Sequence, residues 1–305
     1  MHILVSGSTG FLGTALVDTL EGEGHAVARL VRPGTAQKSA GKLHARTVQW
    51  DPVAGLFDAA GAEGAEALIH LAGASIAGGR WNASRKKLLR TSRIDATRHL
   101  IGALAKLQRP PRVIVAASAI GYYGNRGDET LTEASAPGTD FLAVACQEWE
   151  AEAARGAEFS ARVVSLRFGI ILAAHGGALP RMALPFKLGA GGRLGNGRQW
   201  MSWLTLRETV NIVQFALANS GLTGPVNAVA PNPVRNSEFT GVLAKTLHRP
   251  ALFPAPEFAL RLALGEMADA LLLVSQKVNP LKLAESGYKF IQPSLASALG
   301  EVFHK

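Results

Sequence analysis

The sequence predicts an α/β fold built on a doubly wound parallel sheet, and three observations carry that prediction. Short apolar and β-branched runs alternate with helical patterns through the first half of the chain. The first run, Ile3-Leu4-Val5, leads directly into a glycine turn and then a helical stretch. A later run, Ala67-Leu68-Ile69-His70-Leu71, is apolar enough to be buried on both faces, as the strands of a helix-covered parallel sheet are.

The first strand is expected at 2–6, and the turn that follows reads Gly7-Ser8-Thr9-Gly10-Phe11-Leu12-Gly13 before the helix Thr14 to Leu20. Strand, glycine turn and helix in that order form the context of a dinucleotide-binding site. Gly7 allows the tight turn, Gly10 lets the backbone approach a pyrophosphate, and Gly13 lets the helix pack on the strand. Amides at the helix start then face the phosphates.

The second strand, 25–31, ends in Arg32-Pro33-Gly34 and carries no acid at its end. An acidic residue there would bind the ribose 2′-hydroxyl of NAD, whereas a 2′-phosphate needs cationic donors. Arg32 has the paired N–H donors for a phosphate, so the expected cofactor is NADP(H). Further strands are expected at 46–50, 67–71, 112–117 and 162–168, with one long helix from Ser84 to Leu107 that stops before Pro110-Pro111.

After Phe168 the texture changes. A glycine-rich loop from Leu188 to Arg198 carries Arg193 and Arg198, and Trp200-Met201-Ser202-Trp203-Leu204 follows. The expected division is a dinucleotide-binding unit over 1–168, to which later segments return, and a region over 169–305 that is mainly a substrate lobe.

Composition narrows the class. The chain has 305 residues, 48% apolar, with one cysteine, Cys146, so no intrachain disulfide forms and a reducing compartment is expected. The first strand starts at residue 2, which leaves no room for a targeting segment, and the expected location is the cytoplasm. The greasiest stretch, Phe258 to Val274, is interrupted by Arg261, Glu266 and Asp269, so no membrane span is expected. The eight histidines show no pair at ligand spacing, and no metal site is expected. A formal charge of +9 invites a polyanionic partner. The basic cluster Arg80 to Arg98, with Lys86, Arg90 and Arg93 on one helical face, nevertheless lacks the aromatic interleaving of a nucleic-acid surface, and a solvated face or a homodimer interface is the expected role.

Several ordered segments carry a resemblance: Ser6 to Gly13, His70-Leu71-Ala72-Gly73-Ala74, Ser92-Arg93-Ile94, Ala117 to Gly124, Asp140-Phe141-Leu142, Arg167-Phe168-Gly169-Ile170, Gly192 to Trp203, Asn227 to Pro231 and His248-Arg249-Pro250. Over essentially its whole length the chain resembles the extended short-chain dehydrogenase/reductase superfamily. Within it the chain is similar to an atypical branch of epimerase-family proteins, some bacterial members of which carry a cell-division-inhibitor label. The resemblance implies a Rossmann-like cofactor domain with NADP(H) across the strand ends and a small C-terminal lobe over the nicotinamide. It places Gly7, Thr9, Gly10, Phe11, Leu12 and Gly13 at the pyrophosphate, Arg32 at the 2′-phosphate, Trp50 or Asp51 near the adenine, and Leu71, Ala72 and Gly73 along the adenosine. Ser118 matches the serine that helps to polarise substrate.

One departure limits the expected chemistry. Other members use a tyrosine four residues before a lysine, the tyrosine moving the substrate proton and the lysine stabilising its anion. Here no tyrosine lies between Tyr123 and Tyr288 and no lysine between Lys106 and Lys187. Register on Trp149-Glu150 puts Leu142 and Cys146 at those two positions, and Arg93 at the place of an active-site asparagine. Carbonyl reduction still needs a proton or a cation at the developing oxyanion, and the candidates are Ser118, Tyr122 and Arg93, with Tyr123 read as a packing residue. The expected activity is that of an NADP(H)-dependent oxidoreductase or epimerase-like enzyme acting on a small molecule, an acidic one if Arg193 and Arg198 bind it. The alternative is a non-catalytic NADP(H)-binding sensor or regulator.

Overall fold

The computed structural model of the chain describes residues 1–34 and 46–304. Its centre is an eight-stranded sheet whose strands are labelled here β1 (His2–Ser6), β2 (Ala26–Val31), β3 (Arg46–Asp51), β4 (Leu56–Phe57), β5 (Ala67–His70), β6 (Val113–Ala119), β7 (Arg162–Phe168) and β8 (Gly224–Ala228). Their spatial order is β8-β7-β6-β5-β1-β2-β3-β4, parallel except for the β3–β4 hairpin at one edge. The chain builds outward from β1 on one side and then returns to lay β5 on its other side. The crevice between the ends of β1 and β5 is therefore the switch point at which such sheets take ligands.

The six expected strands are present with end shifts of one or two residues. β8 is additional to them, and its sequence Gly-Pro-Val-Asn-Ala explains why: a proline and an asparagine are poor strand signals, tolerated because β8 is an edge strand.

Pleating sends alternate residues of β1 into separate cores. Ile3 and Val5 join Leu12, Leu16, Val17 and Leu20 of helix α1 (Phe11–Gly22), together with Ile212, Val213 and Ala216 of the helix Leu206–Ala218. Leu4 faces Leu68, Leu100 and Leu104 on the other side. Each such side chain contributes roughly 1.5–3 kcal/mol on burial. A third cluster, including Leu172, Leu179, Phe186, Trp203, Phe239 and Leu299, lies wholly in the C-terminal part, while the segment Leu206–Ala228 returns to the main sheet.

The long helix expected from Ser84 to Leu107 is two helices, α2 (Ala83–Thr91) and α3 (Ile94–Leu104). At the break the Ser92 hydroxyl donates to Leu89 O and accepts from the Ala74 amide, so the helical ladder yields to side-chain bonds. Arg93 consequently leaves the face it was expected to share with Lys86 and Arg90 and turns under the loop after β5. Three outward cations of the cluster are paired: Lys86 with Glu266, Arg90 with Glu148, and Arg98 with Glu152 and Asp95. Among the described residues no helix is long and apolar enough to cross a membrane.

Candidate functional site

The glycine turn is shaped by close backbone contacts. Gly7 has φ +69°, and a Cβ there would fall 2.8 Å from the Leu71 carbonyl carbon and oxygen. A Cβ on Gly13 would fall 2.1 Å from Gly7 O, so the helix can sit on the turn only without a side chain. Gly10 caps α1 without any side-chain hydrogen bond, and no acid lies in the first turn. The first-turn amides thus have no side-chain acceptor, which leaves a helix N-terminus fit for an anion. Thr9, Gly10 and Phe11 are exposed beside it, while Leu12 is buried in the core.

The floor of this cradle is held by a buried hydrogen-bond chain. Ser6 Oγ accepts from the Leu71 and Ala72 amides at 3.1 and 3.3 Å and lies 2.6 Å from His70 Nδ1. His70 Nε2 is 2.8 Å from Thr97 Oγ1, which also accepts from the Trp149 indole and donates to Arg93 O. With both amides donating to it, the Ser6 hydroxyl donates to Nδ1, which fixes the neutral Nε2–H tautomer of His70. Burial holds this histidine at a pKa of about 4. Leu71, Ala72 and Gly73, the expected adenosine-side residues, leave β5 directly against the glycine turn.

Arg32 is exposed at the end of β2, and no described residue pairs with it. Trp50 is 5% exposed, its indole donating to His99 Nδ1 and standing edge-on to His70, so it belongs to the core beneath the strand ends. Asp51 accepts from the Val53 and Ala54 amides and caps the β3–β4 turn.

At the end of β6 the expected catalytic residues meet a network that sequence reasoning did not find. Ser118 is buried, and its hydroxyl donates to Glu150 Oε1 at 2.6 Å. Arg167 grips the same carboxylate with two donors at 2.8 Å and donates to the Tyr123 hydroxyl at 2.9 Å, which in turn donates to Asn227. Burial pushes the Tyr123 phenol up to about 12, consistent with a packing role. Burial alone would lower the Arg167 pKa, but the hydrogen-bonded Glu150 carboxylate raises it, so the charge is locked. Glu150 stood in the sequence only as a landmark. A lone arginine in the run Val163-Val164-Ser165-Leu166-Arg167-Phe168 was the available signal, because a charge in a central strand must be paired.

Tyr122 is half-buried, with the Arg167 guanidinium 3.4 Å from its ring centre and no hydrogen bond to its hydroxyl among the described residues. Leu142 and Cys146 lie on the helix Phe141–Ala154, against the Ile120–Tyr123 turn. Burial pushes the Cys146 thiol up to about 12, which removes thiolate chemistry at neutral pH. Beyond the start of that helix opens a cleft of about 660 Å³. Trp81, Phe141 and Leu142 line its apolar side, and Asp128, Arg198 and Arg235 line a polar one. Asp128 is held below its usual range, first by the Trp200 indole N–H and then by Arg235, paired with it at 2.9 Å, with the Arg198 charge adding to the effect. Arg193 is exposed and is not among the lining residues.

This geometry agrees with sequence comparison. The model of the NAD dependent epimerase/dehydratase family matches residues 3–229. The chain belongs to that family. A domain of unknown function, DUF1731, matches residues 255–302, within the C-terminal region. The Mycobacterium bovis epimerase family protein Mb2239 is 39% identical over 298 residues, covering 98% of this chain and 96% of its own. The Bacillus subtilis epimerase family protein YfhF is 38% identical over 307 residues, covering 99% and 98%. Among solved structures, human epimerase family protein SDR39U1, crystallised with NADPH, superposes with a TM-score of 0.89 at 33% identity, covering 100% of this chain and 99% of that one.

Proposed function

We propose that the protein binds NADP(H) and acts as an oxidoreductase or epimerase-like enzyme on a small molecule bearing an acidic group. The observation that carries this reading is the cradle at the β1–β5 switch point: an uncapped helix N-terminus, two glycines packed closer than a Cβ allows, and an exposed arginine at the end of β2. NADPH in the structure of the human relative supports it. In this reading Gly7, Thr9, Gly10, Phe11, Leu12 and Gly13 hold the pyrophosphate, and Arg32 holds the 2′-phosphate. Leu71, Ala72 and Gly73 line the adenosine, above a floor that includes Trp50 and Asp51. When bound, the nicotinamide supplies or accepts the hydride.

The chain's own residues then supply orientation and a proton. Tyr122 is the candidate proton donor, because its hydroxyl is free while its ring is fixed on Arg167. Ser118 is a positioning residue in this reading, since its proton is committed to Glu150, and Arg93 acts through its charge. Arg198, which pairs with no carboxylate among the described residues, is the cation the cleft offers to an acidic substrate; Arg235 is held by Asp128, and Asp140, Glu257, Glu266 and Asp269 also line the cleft. The committed Ser118 hydroxyl, together with the missing Tyr-x-x-x-Lys pair, favours one second reading, a cofactor-binding regulator without turnover.

Calorimetric titration with NADPH and NADH, for the wild type and Arg32→Ala, tests the cofactor assignment. The variant should lose about 1.5–3 kcal/mol toward NADPH, roughly 10- to 150-fold, and nothing toward NADH. Equal affinity of the wild type for the two cofactors would refute it.

A further inference from the structure

Three arginines converge on one short loop. Arg93 Nη2 donates to Ala74 O at 3.0 Å, Arg85 Nη2 donates to Ser75 O, and Arg181 Nη1 donates to Ala77 O at 2.7 Å. They come from separate places: Arg85 from the first turn of α2, Arg93 from the break before α3, and Arg181 from the helix Leu179–Lys187 in the C-terminal part. Glycines at both ends of the loop let them approach. A Cβ on Gly73 would fall 3.2 Å from Arg93 Cζ, and one on Gly78 would fall 2.4 Å from Arg85 Nη2.

None of the three has a carboxylate partner among the described residues, unlike Arg90 and Arg98 of the same helices. Arg85 and Arg93 are half-buried, and Arg85 Nε is fully buried without a hydrogen-bond partner. Burial and the neighbouring Arg85 charge both lower the pKa of Arg93, whose guanidinium also lies over the Trp149 ring. Arg85 and Arg93, resting on neutral carbonyls, repel each other, and an anion beside them relieves both the repulsion and the desolvation.

The loop also lies next to the glycine turn. It continues directly from Leu71–Gly73, whose Leu71 carbonyl abuts Gly7, and Arg181 follows Gly176 and Gly177, which pack on the Phe11 ring. The loop thus adjoins the glycine turn, and Arg93 rests over the Trp149 ring of the helix that carries Cys146.

We propose that the Ala74–Ala77 loop with Arg85, Arg93 and Arg181 is an oxyanion site that takes a phosphate or carboxylate group of a molecule bound in the crevice. Planar guanidinium forks suit such oxygens, and the donors not used on carbonyls remain for them. The group is either the pyrophosphate of the cofactor, which rests on the NADP(H) reading above, or the acidic group of the substrate, which does not require it.

Titration calorimetry on the full chain, wild type against Arg85→Gln and Arg181→Gln, separates these sources. If the site holds the cofactor's pyrophosphate, both variants lose about tenfold or more in NADPH affinity. They then keep their affinity for adenosine 2′,5′-bisphosphate, which lacks the nicotinamide-side phosphate. If it holds a substrate group, NADPH affinity stays, and inorganic phosphate binding to the NADPH-saturated wild type weakens about tenfold in the variants. Affinities for NADPH and for phosphate all within about twofold of wild type would overturn the proposal and leave the arginines as loop staples. A wild type that binds no NADPH defeats the earlier reading alone, and phosphate titration of the cofactor-free chain then decides. Should a variant fail to fold, the wild type still tests the site: phosphate must raise its melting temperature above that in chloride of equal ionic strength, and no rise refutes the proposal.

Discussion

Acid should loosen the floor of the cradle through His70, and the size of the effect follows from its burial. The native state keeps this imidazole neutral to a pKa of about 4, whereas in the unfolded chain it takes a proton near 6.5. Between those values the unfolded chain binds more protons, so stability is fully present above pH 6.5 and is lost as pH falls toward 4. The full difference corresponds to about 3 kcal/mol, of which about 2 kcal/mol is lost between pH 7 and pH 5. Protonation would also turn Nδ1 into a third N–H facing the Ser6 hydroxyl, which already accepts from the Leu71 and Ala72 amides. Urea unfolding of wild type and His70→Gln at both pH values isolates the term, because every other titrating group is common to the two proteins. The wild type should lose about 2 kcal/mol more than the variant over that interval. An equal pH dependence in the two, or a His70 ring that titrates near 6.5 by NMR, would refute the argument.

Two further outcomes follow from the network at the end of β6. Arg167→Met leaves the Glu150 carboxylate without its two strongest donors and should cost about 3–5 kcal/mol in denaturant unfolding. Once a substrate is in hand, single-turnover NADPH oxidation should fall about 10²–10⁴-fold in Tyr122→Phe and remain near wild type in Cys146→Ala, with a loss confined to Cys146→Ala counting against the proton assignment.

Much of this architecture is legible in the sequence where one local rule acts alone. The central strands read correctly because burial on both faces makes them continuous apolar runs, and the glycine turn reads correctly because backbone approach admits no substitute. Legibility fails where tertiary partners decide. Periodicity carries straight through Thr91-Ser92-Arg93, yet the Ser92 bond to Ala74 comes from a loop 18 residues earlier and splits the helix. That split turns Arg93 inward, so neither its removal from the basic face nor its convergence with Arg85 and Arg181 follows from spacing. Ser118 illustrates the same limit. Its place at the end of a strand suggests a substrate contact, whereas the carboxylate that takes its proton lies 32 residues later, on another helix.

Under the proposed function, the distribution of charge around Tyr122 has to serve in place of the missing pair. In the register expected from Trp149-Glu150, the positions of the phenol and the ammonium hold Leu142 and a buried thiol, and the helix Phe141–Ala154 carries no cation that could approach a reacting oxygen. The cation instead lies in β7, under the aromatic face of Tyr122, and Glu150 fixes it there with a bidentate grip. A guanidinium held in that way cannot swing out to neutralise an oxyanion, because leaving Glu150 would strand a largely buried carboxylate. It can hold the ring through cation–π attraction of roughly 0.5–2 kcal/mol, so that the Tyr122 hydroxyl keeps one direction. The contribution of Arg167 to any proton transfer is therefore orientational, and the charge for a developing oxyanion must come from elsewhere. Of the cations near this helix, Arg93 lies over the Trp149 ring and is bonded only to neutral carbonyls, so under the proposed function it can serve that purpose only where the Ala74–Ala77 site does not already hold the cofactor's pyrophosphate.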